Sequence, residues 1–394
     1  MNDIWEQELE NLLNEDLSSV RRREQQGFDR LVSPFGNSIV LFGAGHLGRT
    51  IAKRLRQGGI EPLAFADNNA RLWGSRIDGI LVRSPQEAAE RFGAVAAVVV
   101  AIWSPGSHHR FSETSKELRA LGCGKVVSFV PFYWKYADDF LPVGFLDLPH
   151  KIYSWSADIR AAFRLMADEE SRQNFVTQLK WRTVENYDQL PPCTQEAQYF
   201  PEQLFRFSRH EVFVDCGAFD GDTIRDYLAR PDHDFSRICA FEPDPMNFEK
   251  LSKYVGALPS ETRTKIVLAQ QAVGRQTERL AFATTGTASS LIRQDGGTEV
   301  MSVSIDDVLQ QHQPTYIKMD IEGSEMDALV GARTCIENNL PVLAICVYHR
   351  PTHLWEIPLL IHSMSDRYRF FLKAHQEEGW DLVCYAVPVQ RLKV

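Results

Sequence analysis

The chain has 394 residues, more than one ordinary hydrophobic core holds, so two or three domains are expected. A net charge of −9 provides no basic field, which argues against nucleic acid as a partner. The longest apolar run, 94–103, is too short to span a membrane, and the first residues lack the features of a signal peptide. Seven dispersed cysteines without a C-x-x-C pair indicate a reducing compartment, so we expect a cytoplasmic protein without disulfides.

The amino-terminal residues are predicted to be helical. Apolar side chains recur at helical spacing over 3–33, and a run of three arginines follows the stripe. We expect a helical segment over 1–35 that packs on the fold or contributes to a dimer, and a homo-oligomer remains open.

A first α/β domain is predicted over 36–130. Strand Ile39–Phe42 leads into Gly43, Gly45 and Gly48, then a helix, then a second strand that ends at Asp67. This G-x-G-x-x-G order, with an acid 24 residues after the first glycine, is the context of a dinucleotide-binding turn. Further buried strands are expected at 94–102 and 126–129.

The ligand of this first domain is left open by the sequence. With residues 65–69, Trp73 and Gly74, the domain resembles Rossmann-like domains of sugar-modifying enzymes in polysaccharide biosynthesis and the nucleotide-sugar-binding half of some sugar acyltransferases. The resemblance implies a nucleotide, a nucleotide-sugar or NAD(P). A docking role without a ligand is the alternative.

A helical connector is predicted over 131–205. Residues 158–180 have a helical pattern, and two prolines at 191 and 192 interrupt the chain after it. The connector ends in Tyr199, Phe200 and Pro201. Such aromatic residues are usually core, and a lid over a later site is the alternative.

The second α/β domain, 206–394, begins with an apolar strand that is predicted to stop at Asp215. Gly217 and Gly221 follow, and then a helix begins. Glycine allows backbone to approach a ligand closely, although a βα turn can require glycine for its geometry alone. Asp215 would repel a phosphate and suits a cationic or hydroxyl-bearing ligand.

The later strands of this domain also end in polar residues. The second strand ends at Glu242, which can accept two ribose hydroxyls, and the third is followed by Gln271 and Ala272. A hairpin-like insertion with a polar tip at Ser289 and Ser290 follows. The remaining strands are predicted at 316–319 and 341–347 and in a closing antiparallel pair, 369–372 with 382–386.

These motifs carry a family resemblance. D-x-G-x-x-x-G, F-E-P, A-V-G and I-K-M-D-I-E-G-S-E, in this order over about 200–390, resemble the FkbM family of S-adenosylmethionine-dependent methyltransferases. The resemblance implies an α/β protein with two doubly wound Rossmann-like domains, the second containing the seven-stranded class I methyltransferase sheet. It also implies O-methylation, often of sugars in glycans or secondary metabolites.

The resemblance places the cofactor on the carboxyl ends of the first three strands. The turn with Gly217 and Gly221 would face the amino-acid end of S-adenosylmethionine, and Asp215 its cationic groups. Glu242 would hold the ribose hydroxyls, and Gln271 and Ala272 would lie at the adenine edge.

Methyl transfer to oxygen requires an aligned acceptor and a general base. Asp320, Glu322 and His349 follow predicted strands and are the candidates. His349 is alternatively a core histidine, Asp320 a ligand of the methionyl end or the acceptor, and Glu322 a cap of the next helix. Lys318 is expected to pair with one of these acids, and no metal site is predicted.

The sequence therefore predicts an O-methyltransferase acting on a sugar, glycan or related hydroxylated metabolite. A catalytically inactive nucleotide- or nucleotide-sugar-binding scaffold of polysaccharide biosynthesis is the main alternative, and a nicotinamide-dependent oxidoreductase is a third. The sequence does not identify the acceptor.

Overall fold

The computed structural model describes residues 4–107, 109–230, 234–283, 291–292 and 298–393. The chain forms two compact units. The amino-terminal unit comprises 1–156, 176–192 and 376–380, and the carboxyl-terminal unit comprises 157–175, 193–375 and 381–394. The segment predicted as a connector is thus divided between the two.

The amino-terminal helical segment consists of two helices, α1 (Ile4–Leu13) and α2 (Leu17–Val32). The break arises at Asp16, whose side chain accepts hydrogen bonds from the amides of Ser18 and Ser19. Those amides would otherwise lack partners at the start of a helix, so a new helix begins there.

A six-stranded sheet forms the centre of the amino-terminal unit. Its strands are β1 (Ile39–Phe42), β2 (Ala64–Ala66), β3 (Arg76–Ile77), β4 (Ile80–Arg83), β5 (Ala97–Val100) and β6 (Lys125–Ser128). The order is β3-β4-β2-β1-β5-β6, and all pairs are parallel except β3 with β4. The predicted Rossmann-like arrangement is therefore confirmed.

Helices connect these strands because parallel neighbours need crossover segments. They are α3 (His46–Gln57), α4 (Pro85–Phe92) and α5 (Phe111–Ala120), followed by α6 (Val130–Lys135), α7 (Ala137–Phe140) and α8 (Pro149–Tyr153), with a 3-10 turn at Ala70–Leu72.

The helix predicted over 158–180 is two helices, α9 (Ser156–Leu165) and α10 (Glu169–Val184). Between them, the amide of Ala167 donates to the carbonyl of Phe370, and the Asp168 carboxylate accepts from the amide of Ser171. The chain thus leaves the helical path and starts a newly capped helix.

Eleven strands are described in the carboxyl-terminal unit. They are β7 (Glu211–Cys216), β8 (Phe235–Phe241), β9 (Ile266–Ala269), β10 (Ala272–Val273), β11 (Glu278–Ala283), β12 (Leu291–Ile292), β13 (Thr298–Val303), β14 (Tyr316–Met319), β15 (Val342–Cys346), β16 (Tyr368–Ala374) and β17 (Leu382–Pro388).

Seven of these strands form the main sheet, in the order β16-β17-β15-β14-β7-β8-β9. The five strands from β15 to β9 are parallel, whereas β17 is antiparallel to both β15 and β16. The predicted class I methyltransferase sheet and its closing antiparallel pair are confirmed.

The predicted hairpin insertion belongs to a separate four-stranded sheet, β10-β13-β11-β12. Its tip, with Ser289 and Ser290, lies outside the described residues. The helices of the unit are α11 (Asp222–Leu228), α12 (Pro245–Gly256), α13 (Ser260–Arg263), α14 (Ile305–Val308), α15 (Glu325–Val330), α16 (Arg333–Asn339) and α17 (His353–Met364).

Within the described ranges, every helix is too short or too polar to cross a lipid bilayer. All seven cysteines are free thiols, and six of them are buried. A buried thiol behaves as a small apolar side chain, so these cysteines contribute packing.

The three glycines after β1 have different physical roles. Gly43 has a φ of +108°, which strongly favours glycine. A Cβ on Gly48 would lie 1.9 Å from the carbonyl oxygen of Gly43, so the start of α3 can approach the turn only without a side chain. No heavy atom of the described residues lies within 4 Å of a Cβ built on Gly45. Gly45 therefore leaves open space in front of the helix.

These differences predict effects of different size for two alanine substitutions. Gly48→Ala should destabilise the protein by about 1–3 kcal/mol because the backbone must move to relieve the clash. Gly45→Ala should change stability by less than about 0.5 kcal/mol. Urea denaturation followed by tryptophan fluorescence compares the two, and equal losses would contradict the assignment of Gly48 to packing.

Candidate active site

The candidate site lies at the carboxyl edge of the seven-stranded sheet. Strand β14 lies between β7 and β15, and the three run parallel. Parallel strands end at the same edge, which brings together the residues that follow each one. Those residues include Gly217 after β7, Asp320 after β14 and His349 after β15.

The glycines of the first turn are required by the backbone itself. Gly217 has a φ of +80°, and a Cβ there would lie 2.0 Å from the carbonyl oxygen of Asp320. Gly221 has a φ of +89°, and its Cβ would lie 2.8 Å from the ring of Tyr254. Because Gly217 has no side chain, the ends of β7 and β14 can approach each other. Because Gly221 has none, the chain can turn there and begin α11.

Asp215 lies inside the sheet, because β7 extends one residue further than predicted. Lys318 occupies the matching position on β14, and its Nζ lies 3.1 Å from Asp215 Oδ1. Nζ also donates to the carbonyl of Gly217 at 2.6 Å. Lys318 thus pairs with a buried acid, but with Asp215 and not with Asp320 or Glu322 as expected, and both side chains are buried.

The charge of Asp215 is only partly compensated. Burial raises its pKa to about 6, while Lys318 opposes that rise. Apart from the ion contact, no group of the described residues donates a well-aligned hydrogen bond to either carboxylate oxygen. A cationic or N–H-bearing ligand group near the turn would therefore be stabilised.

Glu242 follows β8 and is fixed by two backbone amides. Its Oε2 accepts from the amide of Phe219, and its Oε1 accepts from the amide of Asp244, each at 2.9 Å. Burial raises the Glu242 pKa to about 7, against these two hydrogen bonds. The carboxyl group thus links the glycine turn to the end of the second strand.

The two residues predicted at the adenine edge, Gln271 and Ala272, lie at the start of β10 in the four-stranded sheet. Ala272 is the first residue of β10, is buried, and packs with Val300. Gln271 precedes it and is half-buried. The side chain of Gln271 is therefore the more accessible of the two.

Asp320 is the centre of a hydrogen-bonded group. Its Oδ2 accepts from the hydroxyl of Tyr199 at 2.7 Å, and its Oδ1 accepts from the hydroxyl of Tyr348 at 3.3 Å. His349 Nε2 lies 3.3 Å from the same Oδ1. Three polar groups thus hold one carboxylate at the edge of the sheet.

Tyr199 is expected from the sequence only as a core or lid aromatic, and its hydroxyl contact is not predicted. Its φ is +67°, its amide donates to the hydroxyl of Tyr385, and its carbonyl accepts from the hydroxyl of Tyr316. These bonds fix a backbone conformation that is unusual for tyrosine. No local sequence signal reveals a contact with a residue 121 positions away.

His349 lies between carboxylates. Its Nδ1 is 2.8 Å from Glu325 Oε1, and its Nε2 is 3.8 Å from Glu322 Oε2. Burial lowers the His349 pKa, but the neighbouring carboxylates, Glu325 first, outweigh burial and raise it to about 9. A charged imidazolium cannot take a proton near neutral pH, so its available role there is electrostatic.

Glu322 is the carboxyl group best suited to take a proton. Burial raises its pKa to about 7, against the charge of His349, and its side chain is 29% exposed. It lies in the turn after β14 with a φ of +54°, which is unusual for a residue with a side chain. A base with a pKa near the working pH is the effective one.

The predicted capping role of Glu322 is wrong, because no side chain caps α15, and Glu325 instead binds amides of the turn that precedes the helix. Glu325 Oε1 accepts from the amides of Ile321 at 3.0 Å and Gly323 at 3.4 Å. Glu325 Oε2 lies 3.3 Å from His353 Nδ1. Among the residues that the structure describes, no group of three histidine, cysteine or acidic side chains is arranged to hold a metal ion.

The glycine turn after β1 is also bound by an acid that follows the second strand, as Glu242 binds the turn after β7. Asp67, after β2, accepts from the amide of Ala44 and from the amide of Asn69, each at 2.8 Å. Gly45 precedes α3, and no side chain caps that helix. The start of α3 therefore has no side-chain cap and lies next to the open space at Gly45, and helix N-termini of this kind can bind anionic ligands.

The fold of the carboxyl-terminal unit is that of class I methyltransferases, and comparisons with known proteins agree. Residues 215–377 match the methyltransferase FkbM domain family. This part of the carboxyl-terminal unit is therefore similar to the FkbM methyltransferase domain, a similarity that indicates a methyltransferase. No curated protein sequence matches the chain.

Among solved structures, methyltransferase FkbM from Methylobacillus flagellatus KT has a TM-score of 0.76 and 23% identity, over 98% of each chain. That similarity shows the fold. UDP-D-quinovosamine 4-dehydrogenase from Vibrio fischeri has 23% identity over 23% of this chain and 76% of its own, with a TM-score of 0.21. Fibrillarin from Aeropyrum pernix has 12% identity over 48% and 73%, with a TM-score of 0.28. The TM-scores of these last two structures are too low to support a conclusion.

The buried pair predicts a strongly destabilising substitution. Lys318→Met leaves the buried Asp215 carboxyl group without its partner, so that it must either carry an uncompensated charge or take up a proton, which should cost about 3–5 kcal/mol. Adding Asp215→Leu to the same chain should restore most of that loss, because two apolar side chains need no compensation. Chemical denaturation of both variants checks this expectation, and a Lys318→Met protein as stable as the wild type would contradict it.

Proposed function

We propose that the protein is an S-adenosylmethionine-dependent O-methyltransferase that acts on a sugar, a glycan or a related hydroxylated metabolite. The main support for this proposal is Glu322, a partly exposed carboxyl group with a pKa of about 7, which lies beside Asp320 at the carboxyl edge of the sheet. A hydroxyl group must lose its proton when it is methylated, and such a base takes it.

The residues after the first strands fit the cofactor. The Asp215 carboxylate, two residues before Gly217 and paired only with Lys318 among the described residues, would favour the ammonium end of S-adenosylmethionine. Glu242, held by two amides, would accept the ribose hydroxyls, and Gln271 would lie near the base. When bound, the cofactor supplies a methyl group from a sulfonium, and sulfur keeps the electron pair of the broken bond.

The chain's own residues then position the acceptor and move its proton. Asp320, fixed by the hydroxyls of Tyr199 and Tyr348, accepts a hydrogen bond from the acceptor and orients it. Glu322 takes the hydroxyl proton and later releases it to water. The His349 imidazolium faces both carboxylates and stabilises their charge.

The acidic character of this edge supports a neutral, hydroxyl-rich group at the reacting position. Asp320 and Glu322 would repel a phosphate placed beside them, whereas several hydroxyl groups can donate to carboxylates. Sugars present such hydroxyl groups on neighbouring carbons, which is the reason for naming that class.

We also propose that the amino-terminal unit binds a nucleotide, a nucleotide-sugar or NAD(P) at the turn of Gly43, Gly45 and Gly48. The open space at Gly45 and the uncapped start of α3 support this proposal. In the scaffold alternative, this unit binds its ligand and the protein transfers no methyl group. Calorimetry with UDP-sugars and NAD(P)⁺, beside a methyl-transfer assay, separates these roles.

Cofactor binding should depend on Glu242. We expect calorimetry to show that S-adenosylmethionine binds the wild type and that Glu242→Ala weakens binding about 10- to 100-fold, the value of one or two charge-assisted hydrogen bonds. Glu249→Ala, at an exposed position of α12, is the matched control and should bind normally. Absence of binding to the wild type would contradict the proposed function.

The pH profile should identify the base. Methyl transfer to a panel of UDP-sugars and oligosaccharides should have a kcat/KM that rises as Glu322 loses its proton near pH 7 and falls as His349 loses its charge near pH 9. Glu322→Gln should lower kcat by about 100-fold and abolish the rise near pH 7. An unchanged profile in this variant would exclude Glu322 as the base.

A further inference from the structure

Glu325 is a fully buried carboxylate that the sequence did not mark as functional. It is the first residue of α15, and its side chain is 0% exposed. A buried charge is costly unless several partners compensate it. Glu325 has such partners on three different segments, and they converge on the candidate site.

The first set of partners fixes the turn after β14. Glu325 Oε1 accepts from the amides of Ile321 and Gly323, the two neighbours of Glu322. Glu322 has a positive φ, which costs energy for a residue with a side chain. The two hydrogen bonds therefore hold the conformation of the turn at Glu322.

The second partner is His349. Since Nδ1 lies 2.8 Å from Glu325 Oε1, it must carry a proton directed at that carboxylate. The other ring nitrogen, Nε2, faces Asp320 Oδ1 at 3.3 Å and Glu322 Oε2 at 3.8 Å. The ring is thus placed between the buried carboxylate and the two at the crevice.

The charges that surround the His349 ring favour its protonated form. Three carboxylates lie near the ring: Asp320 and Glu322 in the turn after β14, and Glu325 in α15. The other charged or titratable neighbours are at the start of α17 and in the segment before it, and they are Tyr348, the cationic Arg350 and His353. Burial lowers the His353 pKa to about 4, so that ring is neutral and does not offset the carboxylates.

We infer that Glu325 is a positioning residue that keeps His349 as an imidazolium whose Nε2 lies close to Asp320 and Glu322, while it fixes the turn that carries Glu322. This inference rests on the proposed function for its catalytic consequence. One buried carboxylate then controls both the location of the base and the cation beside it. Such preorganised charge stabilises charge that develops on neighbouring groups without rearrangement.

The charge state of His349 tests the inference directly. In ¹⁵N-histidine NMR spectra, with His349→Gln used for assignment, the wild-type ring should stay doubly protonated at pH 7–8 and titrate near pH 9. In Glu325→Gln, the side chain can still accept from the turn amides but carries no charge. The ring should then titrate about two pH units lower.

A control variant separates this effect from a general loss of acidic charge. Glu337→Gln removes a half-exposed carboxylate of α16 that pairs with Arg333, and should leave the His349 titration unchanged. If Glu325→Gln does not fold, the wild-type titration decides alone. A wild-type ring that is neutral at pH 7, or a Glu325→Gln ring that still titrates near pH 9, would overturn the inference.

Activity provides the second measurement. In Glu325→Gln, kcat should fall about 100-fold at pH 8, and the decline near pH 9 should move to lower pH with the NMR titration. A fall in kcat without that movement would indicate a structural role only and would overturn the inference. A protein without methyl transfer would refute the proposed function, whereas the NMR titration would still determine whether Glu325 holds the His349 charge.

Discussion

The carboxyl edge of the seven-stranded sheet depends on the buried pair of Asp215 and Lys318. Neither charge can be left alone away from water, because an isolated buried ion costs several kcal/mol. The pair forms only when β7 and β14 keep their register, which sets the two residues side by side. The same register brings Gly217 against the carbonyl oxygen of Asp320, where any side chain would clash. One interaction thus places the glycine turn and the turn after β14 next to each other, and both the cofactor side and the acceptor side of the site depend on it.

The acidic groups of the site have different protonation behaviour because their surroundings differ. Glu325 is fully buried, which opposes ionisation, yet the charge and hydrogen bond of His349, together with His353 and the amide of Ile321, outweigh burial and lower the Glu325 pKa to about 2. Glu322, three positions earlier, lacks the backbone amide donors that Glu325 has, and burial raises its pKa to about 7. Environments that separate the pKa values of neighbouring groups in this way assign them different roles. Here one carboxylate favours the charged form of His349 near neutral pH, and the other is able to take and release a proton.

The two units use the same local construction at their glycine turns. In each, an acid that follows the second strand accepts a hydrogen bond from an amide of the first turn: Asp67 from Ala44, and Glu242 from Phe219. The acid therefore stabilises the turn whatever ligand it meets. The difference lies in what the turn presents. The first turn leaves space at Gly45 before an uncapped helix, which suits an anionic group, whereas the second follows a buried aspartate, which suits a cationic one.

The sequence by itself determined the elements and their order, since apolar runs, glycine turns and helical spacing are local signals. Strands Ile39–Phe42 and Tyr316–Met319 have the predicted bounds, and the acids at the strand ends were found for the same reason. It also indicated which carboxyl groups would gather, because parallel strands end at one edge. Only the tertiary structure decided that Tyr199 reaches Asp320, that Glu325 rather than Glu322 binds the turn amides, and that the His349 ring is charged. These properties depend on burial and on distances between residues far apart in the chain, and no pattern of neighbouring residues contains either.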